Sequence, residues 1–169
     1  MKKSGILGYP LGHSISPYFQ NAAFTNLGIE ATYEAWSVVT AELPERIQNL
    51  RESDFLGANV TIPYKELVIP LLDEIDEWAL KIGSVNTIVN QSGILIGYNT
   101  DTVGFLRAIS EYGNYEPSGR DVLLIGAGGA ARAAAHALME ARVKTLWIAN
   151  RTYDRVKRLA DEFLEIGEV

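Results

Sequence analysis

Cysteine is absent from the 169 residues. That excludes disulfides and thiolate metal sites, and it is compatible with a reducing cytoplasm. No apolar run of about 18 residues occurs, so no membrane span is expected. The apolar part of MKKSGILGYP is too short for a signal peptide and passes directly into a strand. A positive balance is lacking too: the net charge is −6, which argues against non-specific nucleic-acid binding. Any anionic ligand must then be held by local positive charge. One stretch offers it, where Arg151, Arg155, Lys157 and Arg158 have only Asp154 among them. What is present is an ordinary composition, 47% hydrophobic, enough for one good core or two small ones.

Strand and helix patterns alternate along the chain. Strands are expected at SGILG (4–8), ATYEAWSV (31–38) and GANVT (57–61). VNTIVNQSGILIGYN (85–99) reads as a hairpin about Gln91-Ser92-Gly93. SPYFQNAAFTNLG (16–28) reads as a helix with Ser16 as N-cap, Pro17 in its first turn and Gly28 as its stop. LPERIQNLRE (43–52) is an amphipathic helix. KELVIPLLDEIDEWALKIG (65–83) is expected to be helical, kinked or divided at Pro70. TVGFLRAISEYG (102–113) is helical and closed by a glycine. The polar, Pro- and Gly-containing NYEPSGRD (114–121) marks a boundary, and VLLIGA, GGAARAAAHALMEA, TLWIAN and TYDRVKRLADEFL follow as strand, helix, strand, helix. Strands separated by helices imply a mostly parallel sheet in each unit. The class is therefore α/β, with one domain over 1–112 and the first β-α-β-α part of another over 120–169.

VLLIGAGGAARAA places Gly126, Gly128 and Ala131 in a G-x-G-x-x-A pattern. An ordinary tight turn gives such a pattern by itself, but here an apolar strand precedes it and an alanine-rich helix follows. Gly126 then allows the turn, Gly128 lets the backbone approach a pyrophosphate, and Ala131 permits close packing of helix on strand. The N–H groups at the helix start face the phosphates. This is a Rossmann-type reading. The next strand ends at Asn150 and Arg151, without the acid that holds a ribose 2′-hydroxyl in NAD sites. Arginine's planar fork suits a 2′-phosphate, and Arg155 lies one helical turn on, so NADP is favoured over a merely solvated basic face.

In the first domain each polar residue has an ordinary explanation when taken alone. Lys65 reads as an exposed lysine, and Asp101 or Thr100 as a helix cap. Asn59 and Asn86 read as turn residues, Ser14 and Ser16 as helix-entry hydroxyls, His13 as a surface histidine, and Trp36, Trp78 and Trp147 as packing. Together, however, Ser14, Ser16, Asn59, Thr61, Lys65, Asn86, Asn99 and Asp101 fall at or near predicted strand ends, which in open α/β sheets line the ligand crevice. Hydroxyls, amides, one amine and one carboxylate suit a small polyhydroxylated molecule. Ser14 and Ser16, beside a helix N-terminus, suit its carboxylate.

Six ordered segments carry a resemblance: GYPLGHSISP, GANVTIPYK, IGSVNTIV, GYNTDTVGF, GAGGAARA and NRTYDR. The chain resembles the shikimate dehydrogenase family from its first strand to Arg155. The resemblance implies NADPH-dependent reduction of 3-dehydroshikimate to shikimate, a step towards chorismate and the aromatic amino acids. It implies Lys65 and Asp101 as the catalytic pair, with Ser14, Ser16, Asn59, Thr61 and Asn86 around the substrate. It implies Gly126, Ala127, Gly128, Gly129, Ala130, Asn150, Arg151, Thr152, Arg155 and Glu77 about the cofactor. No metal, nucleic acid or membrane partner is implied. Gln20 stands where the family often has histidine, and Ser84 where it usually has alanine. The family continues beyond the point where this chain stops, at Val169. The expectation is therefore a fragment with little or no activity that self-associates through 121–150 or leaves those residues mobile. A quinate/shikimate dehydrogenase using NAD, and a non-catalytic shikimate-binding fragment, are the alternatives.

Overall fold

The computed structural model describes residues 1–165. The chain divides into two compact units, Met1–Asn99 and Thr100–Val169. Positions 166–169, which the expected second domain includes, lie outside the described residues.

The first unit is built on β1 (Lys2–Gly8), α1 (Ser16–Asn26), β2 (Ala31–Ser37), α2 (Leu43–Asn49), β3 (Phe55–Val60), β4 (Glu74–Ile75), α3 (Glu77–Ile82), β5 (Thr87–Gln91) and β6 (Ile94–Tyr98). Its six strands form one sheet in the order β2-β1-β3-β5-β6-β4. The sheet is mostly parallel, as expected; only β5 runs against its neighbours β3 and β6. The core lies on one face. Leu43, Ile47 and Leu50, spaced to share one side of α2, pack on Leu7, Trp36, Val60, Tyr64 and Val68. The β5–β6 turn is a two-residue loop, Ser92-Gly93, with φ of 56° and 94°, the left-handed pair that matches strand twist.

Two local expectations need correction. Ser16 is the first residue of α1 and not its cap; its N–H donates to Ser14 Oγ at 3.4 Å, while the cap position falls on Ile15. The stretch 65–83 is not one divided helix. It contains a single 3-10 turn (Ile69–Leu71), then β4, then α3. Pro70 cannot continue a helical ladder. The Asp73 carboxylate accepts from Arg51 and from the Leu95 N–H, which draws the segment alongside β6 as a strand. The Asp76 side chain then accepts from the Trp78 N–H at 3.1 Å and starts a fresh helix.

The second unit contains α4 (Asp101–Arg107), a π-helical turn (Ala108–Tyr112), β7 (Asp121–Ile125), α5 (Gly129–Glu140), β8 (Thr145–Ala149) and α6 (Tyr153–Glu165). The compact units therefore part before α4, earlier than the expected boundary over 113–119. The cause is packing. Thr102 is buried and donates from Oγ1 to the Ala133 carbonyl at 3.5 Å, and α5 presents Ala133, Ala134 and Ala137 as a small-residue surface. β7 and β8 pair in parallel. Leu124, Leu146 and Ile148 pack on Ala135, Leu159 and Phe163, so the helices cover one face of this ribbon. Arg132 of α5 is paired with Glu162 of α6. Among the described residues, no helix is long and apolar enough to cross a membrane, and no group of three or more His, Cys, Asp or Glu is placed to hold a metal ion.

Candidate active site

The reversal of β5 gathers the polar residues of the first unit. Leu7 pairs with Val60, Asn59 with Thr87, and Thr87 with Tyr98. The ends of β1, β3 and β6 and the start of β5 therefore share one edge of the sheet. Residues 8–16, 61–65 and 86 leave from that edge. Asn86 sits before its strand rather than after it, and only the antiparallel direction of β5 brings it there. Its main chain is fixed on both sides: the Asn86 N–H donates to Tyr98 O at 3.0 Å, and the Val60 N–H donates to Asn86 O at 2.8 Å.

The segment after β3 is anchored from below. The Thr61 N–H continues the ladder to Leu7 O at 2.9 Å, and Tyr64 turns back to Thr61 O at 2.9 Å. The Tyr64 ring is fully buried, with its hydroxyl donating to Val38 O at 2.5 Å. Lys65 follows this plug, half-buried, and its carbonyl accepts from the Val85 N–H at 2.8 Å. Gly8 makes room for the arrangement, since a Cβ there would sit 2.5 Å from Thr61 Cγ2.

Asn59 and Asn86 are joined through side chains. The Tyr33 hydroxyl donates to Asn59 Oδ1 at 2.7 Å, Asn59 Nδ2 donates to Thr87 Oγ1 at 3.3 Å, and Thr87 Oγ1 donates to Asn86 Oδ1 at 2.9 Å. Burial pushes the Tyr33 phenol up to about 12. Asn21 of α1 fixes Tyr33 in turn: its Oδ1 accepts from the Tyr33 N–H, and its Nδ2 donates to Tyr33 O, at 2.9 and 2.8 Å. Ser14 and Ser16 stand together at the start of α1, both half-buried. Asn21, Tyr33 and Thr87 were not singled out from the sequence. Thr87 had a local signal, its adjacency to Asn86 within a strand. Tyr33 had none, because it lies on an edge strand far from the other residues in sequence.

In the second unit Gly126 takes φ +127°, where a Cβ is strained, and its N–H donates to Ala149 O at 2.7 Å. Ala131 lies directly beneath it, 3.6 Å from where such a Cβ would be. Gly128 is the N-cap of α5, with no side-chain cap bond, and a Cβ on it would meet nothing within 4 Å. The loop through Ala127, Gly129 and Ala130 thus leaves open space at a helix start, the form a bound pyrophosphate needs. Asn150 folds its Nδ2 onto Thr152 O at 3.0 Å, which shapes the turn after β8. Arg151, Thr152 and Arg155 are exposed there. Asp101 is the first residue of α4 in this unit, whereas Glu77 opens α3 in the first unit and is exposed.

An α/β unit with a polar strand edge, followed by a glycine-loop βαβ unit, is the organisation of a two-domain dinucleotide-dependent enzyme. Comparison with known proteins makes this specific. Residues 6–88 match the shikimate dehydrogenase substrate binding domain, and residues 110–168 match the shikimate / quinate 5-dehydrogenase model. A shikimate dehydrogenase (NADP(+)) of Carboxydothermus hydrogenoformans is 49% identical over 99% of this chain and 59% of its own length. That of Geobacillus kaustophilus is 44% identical over 95% and 58%. The shikimate 5-dehydrogenase of Thermus thermophilus, crystallised in complex with NADP(H) and shikimate, superposes with a TM-score of 0.87 at 42% identity, covering 96% of this chain and 61% of that one. The chain belongs to the shikimate dehydrogenase family. It spans about three-fifths of the length of these relatives.

Proposed function

We propose that this chain supplies the substrate-binding half and the opening of the cofactor-binding half of an NADP-dependent shikimate dehydrogenase, which reduces 3-dehydroshikimate to shikimate on the route to chorismate. The observation that carries the reading is the single sheet edge. Two serines at a helix start, Thr61, Lys65 and the Asn59–Asn86 pair all leave from it. Ser14 and Ser16 take the carboxylate, and Thr61, Asn86 and Asn59 orient the hydroxyl-bearing ring. The glycine loop fits a dinucleotide by its open helix start and its left-handed Gly126. Gly126 to Ala130 would hold the pyrophosphate, and Asn150, Arg151, Thr152 and Arg155 the adenosine end with its 2′-phosphate, with Glu77 near the cofactor as in the family pattern. When bound, the nicotinamide supplies the hydride. Lys65 gives the proton to the carbonyl oxygen as it becomes a hydroxyl, and Asp101 is its acid–base partner. The reaction is placed in the cytoplasm, with which a cysteine-free composition is compatible.

The test is turnover with NADPH and with NADH in an enzyme carrying this chain. Lys65→Ala should lower kcat by about 10²- to 10⁴-fold, the usual worth of a positioned acid–base group, while shikimate still binds. Near-normal turnover would remove Lys65 from the chemistry. Preference for NADH would favour a quinate/shikimate dehydrogenase using NAD. Shikimate binding without turnover in the unmutated enzyme would favour a binding module.

A further inference from the structure

We propose that Asn21 is a positioning residue: its side-chain amide clamps α1 to the open edge of β2 and so holds Ser14 and Ser16 where a carboxylate binds. The inference rests on reading the two serines as the carboxylate site, as under the proposed function. β2 is an outermost strand of the sheet, with β1 on one side and no strand on the other. Such a strand leaves N–H and C=O groups unpaired along its far edge. At Tyr33 the Asn21 amide takes the place of the missing strand. Its Oδ1 accepts from the Tyr33 N–H at 2.9 Å, and its Nδ2 donates to Tyr33 O at 2.8 Å. Nδ2 also donates to Pro17 O, at 2.8 Å. A carboxamide has two donor protons and one oxygen, so every group is spent. Turned by half a revolution, the amide would set its oxygen against two carbonyls and its protons against an N–H. Only one orientation fits.

The bond to Pro17 carries the clamp to the serines. Pro17 stands in the first turn of α1, next to Ser16, and the Ser16 N–H donates to Ser14 Oγ at 3.4 Å. A continuous path therefore runs from the edge of β2 through Asn21 and Pro17 to both serines. Apolar packing supplies no substitute. Among the described residues, no side chain of α1 is buried, and the core of the first unit takes none from it. Tyr18 and Phe19, beside the serines, are 83% and 53% exposed. A helix packed so lightly would be free to slide along the strand without polar bonds to fix its place, and Asn21 makes three of them. For the same reason the core of the sheet does not depend on Asn21.

The test is titration of the ¹⁵N-labelled 169-residue chain, followed by nuclear magnetic resonance. Two ligands are compared: shikimate, and its analogue with CH2OH in place of the carboxylate. Asn21→Leu is close in shape and removes all three bonds. Asn21→Asp is closer still, but sets a carboxylate against Tyr33 O and Pro17 O. In each variant shikimate affinity should fall about tenfold or more, the weight of one hydrogen bond to a charged group. The analogue, which has no charge to lose, should bind nearly as before. The Ser14 and Ser16 amide signals should move, and those of Leu7 and Ile47 in the core should stay. In an enzyme carrying this chain the loss should fall on KM for shikimate and leave kcat nearly unchanged. Equal losses for the two ligands, or unmoved serine signals, would overturn the positioning role. Shifts at Leu7 and Ile47 as large as those at the serines would make Asn21 a general support of the fold, and overturn it too. If the unmutated chain binds no shikimate, the substrate reading falls, and the serine and core signals still decide the clamp.

Discussion

A single hydroxyl tests how tightly the first unit is packed. Ser84 is fully buried, and its Oγ has no hydrogen-bond partner. Its carbonyl, by contrast, accepts from Asn99 Nδ2 at 2.7 Å, so the main chain at this position is needed and the side-chain oxygen is not. A buried hydroxyl without a partner is a net cost. Ser84→Ala should raise stability by about 1–2 kcal/mol, read as a higher urea midpoint at unchanged slope. A lower midpoint would mean that the hydroxyl is bonded. Tyr33 gives a prediction of opposite character. Its folded pKa is raised by burial to about 12, whereas an unfolded tyrosine titrates near about 10. The native state therefore holds this proton more tightly, and the stability it contributes is intact below about pH 10 and lost as pH rises towards 12. Absorbance titration should show a late phenol that Tyr33→Phe removes, and the variant should lose less stability over that window than the parent.

At the scale of elements, β3 depends on a glycine that no helix or turn requires. Gly57 lies inside the strand at φ +140°, and a Cβ on it would come 2.0 Å from Ile88 O, in the paired strand. No side chain yields there, because the obstacle is backbone. Gly57→Ala should separate β3 from β5, misplace Asn59 and Thr61 together, and cost at least about 3 kcal/mol. Strong amide protection across 57–59 in that variant would refute it. The same strand shows what was legible in the sequence. Its alternation, the left-handed turn at Ser92-Gly93 and the strand–glycine–helix pattern at 122–131 are written in neighbouring residues, and each stands where the local pattern puts it. The division of 65–83 into a turn, a strand and a helix was not legible. The agents of that division are Arg51 and Leu95, each 22 residues from Asp73 in sequence, and helical periodicity says nothing about such partners. The polar edge was legible as a set of residue types, because strand ends can be counted. The hydrogen-bonded path from Tyr33 to Asn86 was not, because it crosses the strands sideways.

At the scale of the molecule, the two units make different demands. Arg151 is exposed on the turn after β8, with no acid at the strand end to bind a free ribose hydroxyl. In an enzyme carrying this chain, Arg151→Ala should weaken NADP by about 1.5–3 kcal/mol, the worth of a charge-assisted contact, and leave NAD nearly unchanged. Equal losses for both cofactors would make Arg151 structural. The β7–β8 ribbon is covered on one face, while Leu123, Ile125 and Trp147 on the other are 61%, 81% and 62% exposed. Two parallel strands with a bare apolar face and open edges invite pairing with another copy. The 169-residue polypeptide alone should self-associate through 121–150 and show little dehydrogenase activity; sedimentation as a monomer with strong exchange protection there would contradict this. The division at Asn99 has a further consequence, for the order in which the protein is made. Every strand of the six-stranded sheet is encoded before residue 99, and so is the path from Tyr33 to Asn86. A ribosome adding roughly 5–20 residues per second needs several seconds more to reach the end of α6. All the strands of the first sheet and the residues hydrogen-bonded from Tyr33 to Asn86 are therefore in the growing chain before β8, the strand that pairs with β7 beside the glycine loop, has been made.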